Sequence, residues 1–278
     1  MDFRYEHFNS IYEFESALKE RPINSDFADC ICSKDKGNFD FFQTETYEES
    51  EELLEKGWNV KIDEMKKELE NFSRKVEVQR TEYYKNVAGF APCVPNSIRG
   101  VPKSMIASKK INSTKNDKTL HLIINNCGSS KVSGETLMKS GMSVLKLAIL
   151  LEKAKVKTKI DIVPKAAYKG DSCYGCTVNI KDYKQPFNLS KIAYPLAHTS
   201  IFRRQGFRWL ETQKGDLKKW TNSYGFSLVK CTEEEKINYM EYAGFLKDGV
   251  IYIDLEDTMK ADFDPYKLAE LKNIALKI

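Results

Sequence analysis

Apolar positions along the first half of the chain recur at helical intervals. Tyr47–Lys56 is acidic, sets Leu53 and Leu54 on one side and meets Gly57, which predicts a helix that stops there, with Trp58 turned inward. Ile62, Met65, Leu69, Phe72 and Val76 follow at steps of three and four, one face of an amphipathic helix within 62–80. Residues 87–105 break the rhythm with Gly89, Pro92, Pro95, Gly100 and Pro102 among apolar residues, an ordered loop laid across a surface and not a strand. Lys109–Lys118 is polar and basic and reads as a linker.

From Thr119 the pattern shortens. Leu120–Asn125 is an apolar run ending in a turn-forming Asn-Cys-Gly-Ser-Ser, a strand followed by a turn. Glu135–Ala154 predicts a helix burying Leu137, Gly141, Val144, Leu145, Ala148, Ile149 and Leu151. Thr158–Val163 alternates into a second strand closed by Pro164, and Gly175–Ile180 is near enough to be its antiparallel neighbour. Leu189–Leu210 reads as helix interrupted at Pro195. Phe226–Val229, Glu233–Ala243, Val250–Leu255 and Pro265–Leu276 complete a strand and helix alternation. The expected architecture is α/β: a Rossmann-like sheet flanked by helices over residues 119–278, preceded by a helical and irregular region over residues 1–110.

Charge divides the chain differently. Residues 1–60 carry 6 Lys/Arg against 15 Asp/Glu, residues 61–230 carry 32 against 14, and residues 231–278 carry 6 against 11. Acidic ends therefore flank a basic middle. Either the ends fold back over it, or the basic surface awaits an anionic partner such as nucleic acid. The scatter of the lysines favours the first. With 41% hydrophobic residues the chain is not of disordered composition. No apolar run approaches the roughly 20 residues of a membrane span, and Met1–Glu6 lacks the character of a signal peptide. Seven cysteines then imply reduced thiols, without a disulfide framework.

Few motifs carry chemistry. Gly128-Ser129-Ser130 before a helix could cradle a phosphate, but no Gly-Lys-Ser/Thr or Gly-x-Gly-x-x-Gly accompanies it, and a tight turn is the better reading. Cys173-x-x-Cys176 lacks a second half; Cys30-x-Cys32 is distant and wrongly spaced, so buried thiols are expected. His198–Trp209 interleaves Arg203, Arg204 and Arg208 with Phe202, Phe207 and Trp209, a set that can stack bases or grip a partner. The competing reading, weighted two to one, sends the aromatics into the core and the arginines to the acidic ends. Arg203, Arg204, Arg208 and Trp209 are the candidate interaction residues. His198 has no Ser or Asp partner at a catalytic spacing, and His121 reads as a packed strand residue. No triad or carboxylate pair suggests an enzyme, so catalytic residues, metal and cofactor are all expected to be absent.

Leu120–Val163 resembles the opening of a von Willebrand factor A domain. That family begins with an apolar strand, an Asp-x-Ser-x-Ser loop, a helix and a second strand, followed by an antiparallel third. The resemblance covers about three-fifths of the chain and places the family's metal loop on Asn125, Cys127 and Ser129. It implies an A-domain-like fold with a degenerate site. Asn125 removes the carboxylate charge, Cys127 is a poor ligand for a hard cation, and Ser129 alone survives. Asp254, Glu256 and Asp257 after the last strand could add carboxylates or form a solvated strand end.

A second resemblance spans more of the chain. Tyr47–Trp58, Val87–Met105 (Val-Ala-Gly-Phe-Ala-Pro-Cys-Val-Pro to Gly-Val-Pro-Lys-Ser-Met) and His198–Glu211 are similar, in that order, to a family encoded by tailed bacteriophages and prophages that has no assigned activity. It implies a viral protein acting as a virion component or in the host cytoplasm, with other phage proteins as partners. Nucleic acid is the alternative partner, and an enzyme with an unrecognised site the second alternative.

Overall fold

The structure, a computed structural model, describes residues 3–27, 31–59, 79–112, 119–169, 172–214, 232–245 and 250–274. The helix expected within 62–80 falls almost wholly outside them, as does the strand expected at 226–229.

Two sheets organise the chain. The larger contains β1 (Phe3–Phe8), β5 (Thr119–Asn125), β6 (Lys157–Lys169), β7 (Ser172–Lys181) and β8 (Val250–Ile253) in the order β1-β7-β6-β5-β8. Three of its four pairings are parallel and only β6–β7 is antiparallel, making a mixed α/β layer. The smaller sheet has the order β2-β4-β3, from β2 (Gln79–Asn86), β3 (Ala91–Pro92) and β4 (Met105–Asn112).

The large sheet is apolar on both sides, as strand periodicity requires when helices cover both faces. Leu122 and Ile124 of β5 join one buried cluster, with Ile160 and Ile162 of β6. Ile123 between them points into the other, with Val163 and Ala166. The first face carries α1 (Ile11–Glu20), α3 (Tyr47–Lys56), α5 (Gly134–Lys153), α6 (Leu189–Ala197) and α10 (Pro265–Leu271). The second receives α2 (Phe39–Phe42), Phe202 and Phe207, and Tyr239 of α8 (Glu233–Tyr242).

Several helices form where the sequence places them, for local reasons. The Thr46 hydroxyl accepts from Glu49 N and opens α3. Gly57, at φ 87°, closes it, and Trp58 is buried. Ser133 caps α5 by accepting from Thr136 N at 3.1 Å. The expected antiparallel partnership of the second and third strands is β6 with β7.

Other expectations are corrected. Pro164 does not end its strand; β6 continues to Lys169. The register with β7 shifts between Ile162 and Lys165, so the proline, which has no N–H to give, sits in a bulge. Pro195 does not interrupt α6, which continues to Ala197. Asn112 ends β4, so the expected linker begins inside a strand that pairs with Gln79–Asn86. Leu255 begins α9 (Leu255–Lys260), which the strand expectation had absorbed. The expected division near residues 110–119 is crossed by the large sheet, because β1 lies parallel to β7, with Phe3 opposite Cys173. Glu6 on this strand accepts from Trp209 Nε1 at 2.7 Å and pairs with Arg21 at 2.8 Å.

Candidate functional site

Ligands in open α/β sheets gather outside the carboxyl ends of the strands. Here that edge holds Asn125–Ser130, the start of α9 and the turn after α6.

The loop after β5 is occupied with itself. Asn125 Oδ1 accepts from Cys127 N at 3.0 Å, an Asx turn. The buried Cys127 sulfur accepts from Ala166 N at 3.1 Å and lies 3.5 Å from the Val163 carbonyl. Desolvation pushes its thiol up to about 12, so it stays protonated. Ser129 Oγ accepts from Lys131 N at 3.4 Å. An amide whose oxygen is taken and a neutral buried thiol do not fit the donor set of a hard divalent cation. Among the described residues, no three His, Cys, Asp or Glu side chains converge.

The carboxylates after β8 are also committed. Asp254 caps α9 by accepting from Asp257 N, and Asp257 accepts from Asp254 N in return. Asp257 pairs with Lys272 at 2.5 Å and Glu256 with Lys236 at 2.9 Å. Between these groups and His198 lies a cavity of about 20 Å³. It has room for about one water molecule, and its lining includes Asn125 and Asn126, whose Nδ2 and Oδ1 have no protein partner.

In the arginine and aromatic segment the favoured reading, aromatics in the core and arginines against the acidic end, fits better than a surface for stacking bases or gripping a partner. Ile201–Gly206 is a π-helical turn running into α7 (Phe207–Glu211). Arg203, Arg204 and Trp209 are fully buried. Arg204 donates through Nη1 to the carbonyls of Ser33 (2.9 Å) and Asp35 (2.7 Å), and through Nη2 to those of Thr44 (3.0 Å) and Glu45 (3.2 Å). Its Nε reaches the Thr44 hydroxyl at 3.1 Å, and the guanidinium stacks 3.9 Å from the Phe42 ring. Arg203 donates to the carbonyls of Phe41, Ser129 and Val132. Arg208 Nε reaches the Leu18 carbonyl at 3.3 Å. None of the buried three is displayed on the outer surface as a face for a macromolecular partner. The arginines do meet the acidic amino-terminal region, through backbone carbonyls.

His198 has a local hydroxyl neighbour two residues on, Ser200, which is not a partner at a catalytic spacing. Its Nδ1 lies 2.8 Å from Ser200 Oγ, which lies 2.9 Å from the Tyr194 hydroxyl. The ring packs edge-on to Trp58 with centroids 5.2 Å apart. Burial pulls the imidazole down to about 4. The unfolded chain, with a pKa of about 6.5, therefore binds the proton first as pH falls. The stability contributed by the neutral ring is complete above pH ~6.5 and is lost towards pH ~4, on the order of 3 kcal/mol in all. His198→Gln should flatten this acid limb, measured as urea midpoints between pH 7 and 4. His121 Nε2 pairs with Asp161 at 2.6 Å, which also accepts from Asn179, a half-buried strand-to-strand tie. Cys176 is buried and desolvation raises its thiol; the Cys173 side chain, like Cys30, lies outside the described residues.

One surface was misread in the sequence. Residues 87–101 form the tip of the small sheet and contain α4 (Val94–Ile98), and their apolar side chains face outward. Ile98 is 81% exposed, Phe90 67% and Val87 66%, with Val94, Val101 and Tyr84 also exposed. Exposed Lys85, Arg99 and Lys103 belong to the same stretch, and residues 83–116 contain no Asp or Glu. The alternation of apolar residues with Pro and Gly signalled an ordered loop but not which way it faced. No helix among the described residues is long and apolar enough to cross a membrane.

Comparison with curated proteins and with solved structures gives no match. The model of a family described only as a domain of unknown function, DUF7192, matches residues 4–268, from β1 through the large sheet to α10, and the chain belongs to that family.

Proposed function

We propose that this chain is a non-enzymatic, phage-encoded protein-interaction or assembly module, an A-domain-like sheet whose metal loop has become structural. The A-domain-like reading is supported by β5, α5 and β6 in succession with β7 reversed beside β6. The phage reading rests on the three similar phrases, which have different fates. Tyr47–Trp58 and His198–Glu211 meet in the interior, where Tyr47 donates to Gln205 at 3.0 Å. Val87–Met105 forms the exposed tip.

That tip is the observation that carries the function. An apolar cluster of this kind on a surface marks a recognition site. Its partner is a protein face with an apolar centre and carboxylates at its rim, matching the basic border of Lys85, Arg99 and Lys103. Phe90→Glu with Ile98→Glu is expected to leave thermal unfolding unchanged and weaken partner binding by about a hundredfold or more. The partner is to be identified by crosslinking and mass spectrometry, then measured purified. A partner lacking that acidic rim, or binding that survives both substitutions, overturns the proposal.

The same acid-free border, with Tyr84 and Phe90 exposed, gives nucleic acid a second claim. The aliphatic Val87, Val94 and Ile98 at the tip can neither stack on bases nor contact phosphates, which favours protein. Tight single-stranded oligonucleotide binding that falls steeply with salt would reverse that preference.

A further inference from the structure

The π turn, the loop before α2 and the loop after β5 border an open cavity of about 270 Å³ that has no part in the proposed docking tip. Phe41, Phe42, Phe202 and Phe207 line it. The rings form one continuous set: Phe41–Phe42 centroids are 4.9 Å apart, Phe202–Phe207 5.5 Å and Phe41–Phe207 6.4 Å. Such a wall accepts a flat apolar body by edge-to-face and offset contacts.

Arg203 lines the same cavity. Its Nη atoms are used by backbone carbonyls, and its guanidinium lies 3.8 Å from the Phe41 ring centre. Its Nε–H is buried and has no partner. Among the described residues its partners are carbonyls and no carboxylate pairs with this guanidinium, which desolvation pulls down only to about 10, so it is charged at neutral pH. Lys165 adds a second positive group behind the wall, 5.5 and 5.1 Å from the Phe202 and Phe207 rings. A buried, charged donor without an acceptor is costly unless something supplies one. Asp35 also lines the cavity and is exposed, which limits the ligand to a single anionic group at the Arg203 end.

We propose that this cavity binds a small aromatic monocarboxylate, its ring among the four phenylalanines and its carboxylate on the Arg203 Nε–H. The volume lies just below the usual range for metabolite pockets, of roughly 300 Å³ and more, which fits a single ring with one short substituent.

Calorimetric titration of the full chain with benzoate, benzyl alcohol and benzylamine tests this. Benzoate is expected to bind at least about tenfold more tightly than either of the others. Benzylamine binding as tightly as benzoate would hand the site to Asp35 and overturn the proposal. So would the absence of benzoate binding up to about 10 mM. Ser130 is exposed at the cavity, and Ser130→Trp should cover it, abolishing benzoate binding without shifting the unfolding temperature. Benzoate affinity unchanged in Ser130→Trp places the ligand elsewhere and also overturns the proposal. Arg203→Lys, which keeps the charge and removes the Nε–H, should weaken benzoate about tenfold. Undiminished binding in that variant counts against the assigned donor; if the variant does not fold, Ser130→Trp decides.

Discussion

Arg204→Met is expected to destabilise the folded chain by about 3–5 kcal/mol, the range seen when one partner of a buried charged network is removed. The methionine fills much of the volume but donates nothing. The carbonyls of Ser33, Asp35, Thr44 and Glu45 then lose the guanidinium that gathers them. Each buried orphan acceptor costs about 1–3 kcal/mol, and partial hydration of the loosened 31–45 segment recovers some of it. Arg204→Lys should fall between, since an ammonium keeps the charge but cannot span four carbonyls with a planar fork. Urea unfolding of the three proteins checks the order, and faster hydrogen exchange confined first to residues 31–45 checks the mechanism. Equal stability of Arg204→Met and the parent would mean that these contacts do not hold the acidic segment in place.

Gly141→Ala is expected to cost about 2–3 kcal/mol, in the range for overpacking a filled core. Ordinarily the same change in a helix gains up to about 1 kcal/mol. The reversal comes from the crossing of α5 and α6. A Cβ at Gly141 would lie 2.4 Å from Ala197 Cα and 2.5 Å from the Leu196 carbonyl oxygen. Both are backbone atoms, so no rotamer relieves the contact and the helices must separate. A melting temperature lowered by roughly 5 °C or more is the expected reading. An unchanged or raised value would show that the crossing is looser than described. The strain would be felt at once by Asn126, whose Nδ2 donates to the Pro195 and Leu196 carbonyls.

Local pattern determined much of this protein. The periodicity of Glu135–Ala154 is the buried stripe of α5, and Thr46, Gly57 and Trp58 set where α3 opens, closes and enters the core, because caps and stripes act within a few residues. The reversal from β6 into β7 was legible because the two runs are nearly adjacent. Tertiary structure decided what had no local signature. β1 pairs with a strand some 170 residues away, Phe3 with Cys173, and β2 finds β4 across a Pro- and Gly-rich tip. Pro164 stays in its strand only because a bulge excuses its missing N–H. The orientation of charge was settled the same way. Arg203 and Arg204 could be read as a surface grip or, with more weight, as ties to the acidic ends, and Val87–Val101 as a packed loop. The fold ties the arginines to backbone carbonyls and turns the loop outward. A guanidinium is buried when enough carbonyls from elsewhere in the chain converge on it, and an apolar tip is exposed when nothing in the described fold covers it. Neither condition is written within reach of the residues themselves.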